Sequence, residues 1–313
     1  MKPKKYEERE VMEMSKAHRF LLMFILMFLL VITFSVITAH AADYYAAYNS
    51  QDATSNIQSA IQSAVGNPGV DRVILSYQGA GTKWISGPLQ LYSDMEFVLE
   101  NGVVLEAKSG AFASGTPLIL ISGASNVKVT GTGAVIRMLI NEYTDGEWRN
   151  CITLRSCSYI EITGVALEKS GGDGVYLGSN GTANNNILIQ NVVCDGNARN
   201  GISVISAENL TITGCTLKNT GQYNHQGLAA HGPWAGIDFE PNYGTEKLSN
   251  ITMTDCIFDN NKNYGIEFYL NNLGPTSSEV SVDISGCTVK GSYQGTVFSH
   301  ARSGATGTIS VEN

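Results

Sequence analysis

GISVIS at 201–206 is one copy of a phrase that recurs along the chain: CITLRS at 151–156, GVYLGS at 174–179, GIDFEP at 236–241, GIEFYL at 265–270 and GTVFSH at 295–300. Successive copies start 23, 27, 35, 29 and 30 residues apart. A second phrase interleaves with it: NVKVTGT at 126–132, YIEITGV at 159–165, NILIQNV at 186–192, NLTITGC at 209–215, NITMTDC at 250–256 and SVDISGC at 281–287. Both phrases alternate apolar and polar residues, the period of a strand with one buried face. Gly, Asn and Asp gather between them, as turns require. Short strands returning at this interval predict a solenoid, in which each coil lays its strands beside those of the next and buries a shared apolar face. The chain is therefore expected to be all-β: a single-stranded parallel β-helix of roughly eight to ten coils, two or three strands to each.

The end of the second phrase reads Thr132, Val165, Val192, Cys215, Cys256 and Cys287, so cysteine stands where valine stands elsewhere. Three stacked thiols acting as small hydrophobes is the reading this favours, with a Cys215–Cys256 disulfide as the alternative. The other cysteines are Cys151, Cys157 and Cys194, and no CxxC pair points to a zinc ribbon. Ahead of the coils, DATSNIQSAIQSAV (52–65) places Ile57, Ala60, Ile61 and Ala64 at helical spacing, with Asp52, Thr54 and Ser55 as N-cap candidates. An amphipathic helix here would close the open N-terminal end of the solenoid. No matching element is visible at the C-terminal end.

Composition agrees. Of 313 residues, 43% are hydrophobic, 15% are charged and 33 are Gly, which excludes a disordered chain. The stretch from Phe20 to Ala39 is almost wholly apolar, follows Lys16 and Arg19, and ends in Ala39-His40-Ala41. That pattern predicts a signal peptide over 1–41, with cleavage after Ala41 and a secreted β-helix domain over 42–313. A single membrane anchor is the alternative; after cleavage no membrane contact is expected. The whole chain carries −8, and without its first 41 residues (six basic, four acidic) it carries 14 basic and 24 acidic groups, or −10. Nucleic acid is excluded as a partner, because no basic stripe remains to meet phosphates. A monomer is expected.

Alternation also assigns faces. In GIDFEP, Ile237 and Phe239 point inward, so Asp238 and Glu240 point out. Outward positions form two columns across the coils: Thr153, Tyr176, Ser203, Asp238, Glu267 and Val297, then Arg155, Gly178, Ile205, Glu240, Tyr269 and Ser299. Asn150, Asp173, Asn200, Ala235, Tyr264 and Gln294 stand just before the strands. Asp238 and Glu267 should then be neighbours, with Glu240 beside Tyr269. Three carboxylates on two adjacent strands repel one another, so they suit a raised carboxyl pKa for acid–base work, or a bound Ca²⁺ on Asp238, Glu240 and Glu267. Tyr176, Trp234, Tyr264, Tyr269 and Tyr243 surround the strip and suit the apolar faces of sugars. The longest second-phrase interval, 41 residues from Asn209 to Asn250, brackets the same strand and contains His225 and His231, candidate proton carriers. Arg199 and Arg155 could neutralise a substrate carboxylate.

On the helix at 52–64, the coil phrases and SGGDGVYLGS (170–179), the chain resembles the pectin-lyase-like superfamily of right-handed parallel β-helix proteins over roughly residues 45–313. That superfamily includes lyases, glycoside hydrolases, epimerases and phage tailspikes. SGGDGVYLGS is similar to the Asn-Thr-Asp-Gly strand of polygalacturonases, which would put Asp173 on their first catalytic aspartate. Arg199-Asn200 stand where their paired aspartates would be, and WAGID (234–238) and YGIEF (264–268) replace their Gly-His-Gly and Arg-Ile-Lys elements. AGIDFE (235–240) is similar to the Tyr-Gly-Phe-Asp-Pro-His strand of mannuronan epimerases, which implies a catalytic role for Asp238, with Glu240 and Ala235 replacing their His and Tyr.

The expectation from sequence is a secreted enzyme that cleaves a uronic-acid polymer of alginate or pectate type by β-elimination. Asp238, Glu240, Glu267, Tyr269, His231 and Arg199 carry the chemistry in this reading, and Tyr176, Asp173, Ser203, Trp234, Tyr264 and Arg155 bind substrate. A glycoside hydrolase with paired carboxylates and a non-catalytic glycan-binding solenoid are the alternatives.

Overall fold

The computed structural model describes residues 41–67, 69–222, 231–299 and 304–312. The expected secretory segment therefore lies outside the described residues except for Ala41. From Asp43 onward the chain winds through three parallel sheets, of ten, eight and eight strands. One coil shows the pattern: Ile202–Val204, then Ala207–Thr213, then Thr216–Lys218. The first phrase builds one eight-stranded sheet, here called the site sheet, and the second phrase builds the ten-stranded long sheet. Every strand pair is parallel and in register, as Ile160↔Ile187↔Leu210↔Ile251↔Val282 illustrates.

The third sheet is the third strand per coil that the expectation of two or three allowed, but no recurring phrase marked its place. Seven of its eight strands, such as Ala166–Glu168, Val193–Asp195 and Ile257–Asp259, are three residues long. Most of them bury one side chain (Leu167, Cys194, Leu217, Phe258), and a single apolar letter shows no alternation.

The core is made of repeated ladders inside the tube. Phe239 and Phe268 stack with ring centroids 4.6 Å apart. Val165, Val192, Cys215 and Cys256 are fully buried in one file, half-buried Cys287 follows, and all six cysteines are free thiols. The valine-like reading of the cysteine slot holds, and the disulfide alternative does not.

The helix runs Thr54–Ala64 and buries Ile57, Ala60, Ile61 and Ala64 against the first coils. None of the three candidates is the N-cap, which is Ala53; Asp52, one residue earlier, still accepts the Thr54 N–H at 3.0 Å and pairs with Lys108 at 2.6 Å. Thr54 and Ser55 lie inside the helix. The Thr54 hydroxyl instead accepts the Gly87 N–H at 2.6 Å and ties the helix to the coil beneath.

Candidate functional site

The site sheet brings the expected column together. Thr153, Tyr176, Ser203, Asp238, Glu267 and Val297 follow one another in register across six strands. The first five point as alternation implies, away from the core that Ile237 and Phe239 fill. Their exposure does not follow: Ser203 and Asp238 are fully buried, and Thr153, Tyr176 and Glu267 nearly so. The reason is a second layer of side chains. Arg199 crosses the column from the turn before Ile202–Val204, while Trp148 packs edge-on to Tyr176 at 6.4 Å and Arg155 lies 5.6 Å from the same ring.

Arg199 organises the centre. It donates to Glu240 at 2.6 Å, to the Ser203 hydroxyl at 3.1 Å and to the Gly232 carbonyl at 3.1 Å. It also lies 3.6 Å from Asp173 and 3.9 Å from Asp238. Burial pushes the Asp173 carboxyl up to about 6 against the pull of Arg199. Glu267 rises to about 7 through burial and the charge of Glu240. Asp238 is held well above the usual carboxylate range by burial, then by Glu240. One oxygen on each of Asp173, Asp238 and Glu267 is buried without a hydrogen bond. Burial also lifts the Tyr176 phenol to about 12.

The turn before each strand explains how Asp173 is placed. Asn150 accepts the Asp173 N–H at 2.7 Å, Asp173 accepts the Asn200 N–H at 2.9 Å, and Asn200 accepts the Ala235 N–H at 2.9 Å. The three side chains do one structural job in successive coils, and only Asp173 adds charge to it. Asn200 also donates to Ser203 at 3.0 Å and to Asp238 at 3.4 Å, which makes it a residue of the site. Its place in the pre-strand column was visible in the sequence; its reach to Asp238 was not.

Other expected residues lie at the margin. The strand Tyr264–Tyr269 has both its tyrosines half-buried at its ends. The Trp234 ring stacks under Lys262, whose Nζ is 3.9 Å from its centroid, and its indole N–H is buried without an acceptor. His231 faces Glu147 at 3.7 Å, Tyr243 stands exposed, and His225 lies outside the described residues. Ile205 departs from its outward assignment: Ile205 and Ser206 both donate to the Leu177 carbonyl, so the chain bends and Ile205 is buried. Trp148 and Glu147 were missed. They belong to an excursion over residues 138–150, anchored by Arg149 on Asp145 (2.8 Å) and on the Phe112 carbonyl (3.0 Å), and its length between two strands was the available signal.

Among the described residues, no three His, Cys, Asp or Glu side chains are grouped to hold a metal ion. The Arg199 guanidinium stands amid the acidic groups where a cation would be needed. The donor set therefore does not fit Ca²⁺, and no step is derived through it.

The three parallel sheets wound coil upon coil define a right-handed parallel β-helix, the fold that the resemblance implied. The chain belongs to the right handed beta helix region family, whose family model matches residues 117–313. No curated protein matches its sequence. Among solved structures it is similar to a family 28 exopolygalacturonase of Yersinia enterocolitica (14% identity, TM-score 0.55, 80% of this chain and 56% of that one). It is also similar to an iota-carrageenase of A. fortis (13%, 0.56, 79% and 55%) and to PfbA, a surface adhesin of Streptococcus pneumoniae (13%, 0.55, 80% and 62%). The chain thus spans less than two thirds of each of these three.

Proposed function

We propose that the chain is a carbohydrate-active enzyme that hydrolyses glycosidic bonds in a polysaccharide, with Asp238 as general acid and Glu267 as its partner carboxyl. The observation that carries this reading is the pairing of these two residues on adjoining strands, each with a raised pKa. Glycoside hydrolysis needs a carboxyl still protonated near neutrality and a second one beside it. Strands about 4.8 Å apart suit the roughly 5–5.5 Å spacing of retaining enzymes. Asp238 would protonate the leaving oxygen while Glu267 attacks or steadies the anomeric carbon. Asp238 would then take a proton from the incoming water.

Arg199 keeps this concentration of acid groups tolerable and orients Glu240 and Ser203. Beta-elimination on a uronate polymer would instead ask Arg199 to neutralise the substrate carboxylate. Three acidic side chains already lie within 3.9 Å of it, so its charge is taken up by the protein's own carboxyls. Hydrolysis is favoured on that ground. The solved structures also support a polysaccharide substrate, since two with this fold are an exopolygalacturonase and an iota-carrageenase. Export through the 1–41 segment would bring the enzyme to a polymer outside the cell.

The test compares wild type with Asp238→Asn and Glu267→Gln on galacturonan, carrageenan and neutral β-glucan. Each variant should lose about 10²- to 10⁴-fold in kcat with an unchanged circular dichroism spectrum. Wild-type rates in both variants would overturn the assignment.

A further inference from the structure

The long sheet carries a feature that the candidate site does not use. A groove of about 690 Å³ runs along its outer face, across the strands Ser125–Thr130, Ser158–Thr163, Asn184–Gln190, Ala207–Thr213 and Leu248–Thr254. One wall is a row of residues at equivalent places in successive coils: Asn126, Tyr159, Asn186, Asn209 and Asn250. All five have left-handed backbone, with φ of 58°, 55°, 56°, 55° and 51°. Asparagine is among the few residues that adopt this conformation readily, whereas a bulky aromatic there is an outlier. Holding a non-glycine residue in this region costs about 1–3 kcal/mol, and such strain gathers at functional positions. Tyr159 therefore interrupts an asparagine row at an energetic cost, and the residue is 64% exposed.

The other wall and floor decide what would bind. Lys128, Glu161, Leu188, Thr211 and Thr252 stand in register across the same strands. The only charged members of the lining, Lys128 and Glu161, pair with each other at 3.1 Å, so the groove offers no net charge to an ionic ligand. The amides form a partial ladder: Asn209 donates to Asn185 at 2.9 Å, and Asn250 donates to Asn209 at 2.5 Å. An amide has two donors and an acceptor with two lone pairs, so each rung keeps hydrogen-bonding capacity beyond the ladder itself. Rungs recur at the strand spacing of about 4.8 Å. An exposed ring beside a repeating array of neutral amides and hydroxyls matches the apolar faces and hydroxyl edges of a sugar chain.

We propose that this groove is a second, non-catalytic binding site for a neutral, extended glycan chain, with Tyr159 as its stacking platform. It lies on a different sheet from Asp238 and Glu267 and does not depend on their proposed chemistry. The test is native affinity electrophoresis through gels cast with galactomannan, xyloglucan or agarose. Wild type should be retarded in at least one of them. Tyr159→Asn should bind that glycan about five- to tenfold more weakly, the worth of an aromatic contact. Its melting temperature should be equal or higher, because Asn suits the backbone there. Thr211→Lys, which puts a long cation into the groove, should also reduce retardation, whereas Asp238→Asn should keep it in full. Absence of retardation of wild type in all three gels would overturn the proposal. So would equal retardation of wild type and Tyr159→Asn, or retardation abolished by Asp238→Asn.

Discussion

At the scale of single residues, the acidic groups of the site make a stability prediction with a definite sign. Glu267 rises from 4.5 to about 7 and Asp173 from 3.8 to about 6 on folding. Between those values the folded state binds more protons than the unfolded one, so unfolding free energy falls as pH rises through them. Each group accounts for a loss of about 3 kcal/mol, complete only above its folded pKa. Glu267→Gln removes one such contribution. Urea unfolding at about pH 5 and about pH 8 should show a smaller loss of stability for that variant than for wild type, and an equal loss would contradict the buried, raised carboxyl. This cluster was legible in the sequence, because alternation and coil register together set Asp238 beside Glu267. It could not reveal the burial. A period of two reports which side of the strand a residue takes, not that Arg199 and Trp148 fold back over that side.

At the scale of elements, the second phrase was legible down to its last position, because every coil repeats the same geometric demand. The slot filled by Val165 and Val192 takes Cys215 and Cys256 with no disulfide. Contact with Cys215, then burial, pushes the Cys256 thiol up to about 12 against the opposing pull of Cys287. It is therefore a protonated packing group and not a nucleophile. Cys256→Val should change stability by less than about 1.5 kcal/mol, as volume-conserving swaps do. The melting temperature should not respond to reductant. A drop of many degrees on either treatment would contradict the packing role. The third sheet escaped detection for the opposite reason: its three-residue strands carry too few positions to show a period. The 138–150 excursion escaped because its place was hidden until that sheet was known.

At the scale of the whole molecule, one tube presents two unlike faces. The site sheet gathers buried acidic groups around a single arginine, which suits bond cleavage. The long sheet offers a shallow neutral groove, which suits holding a chain. Both come from the same stacking rule, in which equivalent positions in successive coils align into columns; a column of carboxyls and a column of amides differ only in the residues supplied to it. The resemblance to β-helix enzymes told the fold from sequence. The reaction depends on how a few side chains meet across coils, which is why the sequence alone leaned towards elimination.

The central claim is that this acidic face hydrolyses a glycosidic bond, and the products of one incubation test it most directly. Purified protein is mixed with galacturonan, alginate, carrageenan and neutral β-glucan, each with and without chelator. New reducing ends and the ultraviolet absorbance of unsaturated uronates are followed together. Reducing ends should rise on at least one polymer without any gain in absorbance, equally with and without chelator, and the rise should vanish in Asp238→Asn. Absorbance that grows in step with the reducing ends would contradict hydrolysis and establish elimination.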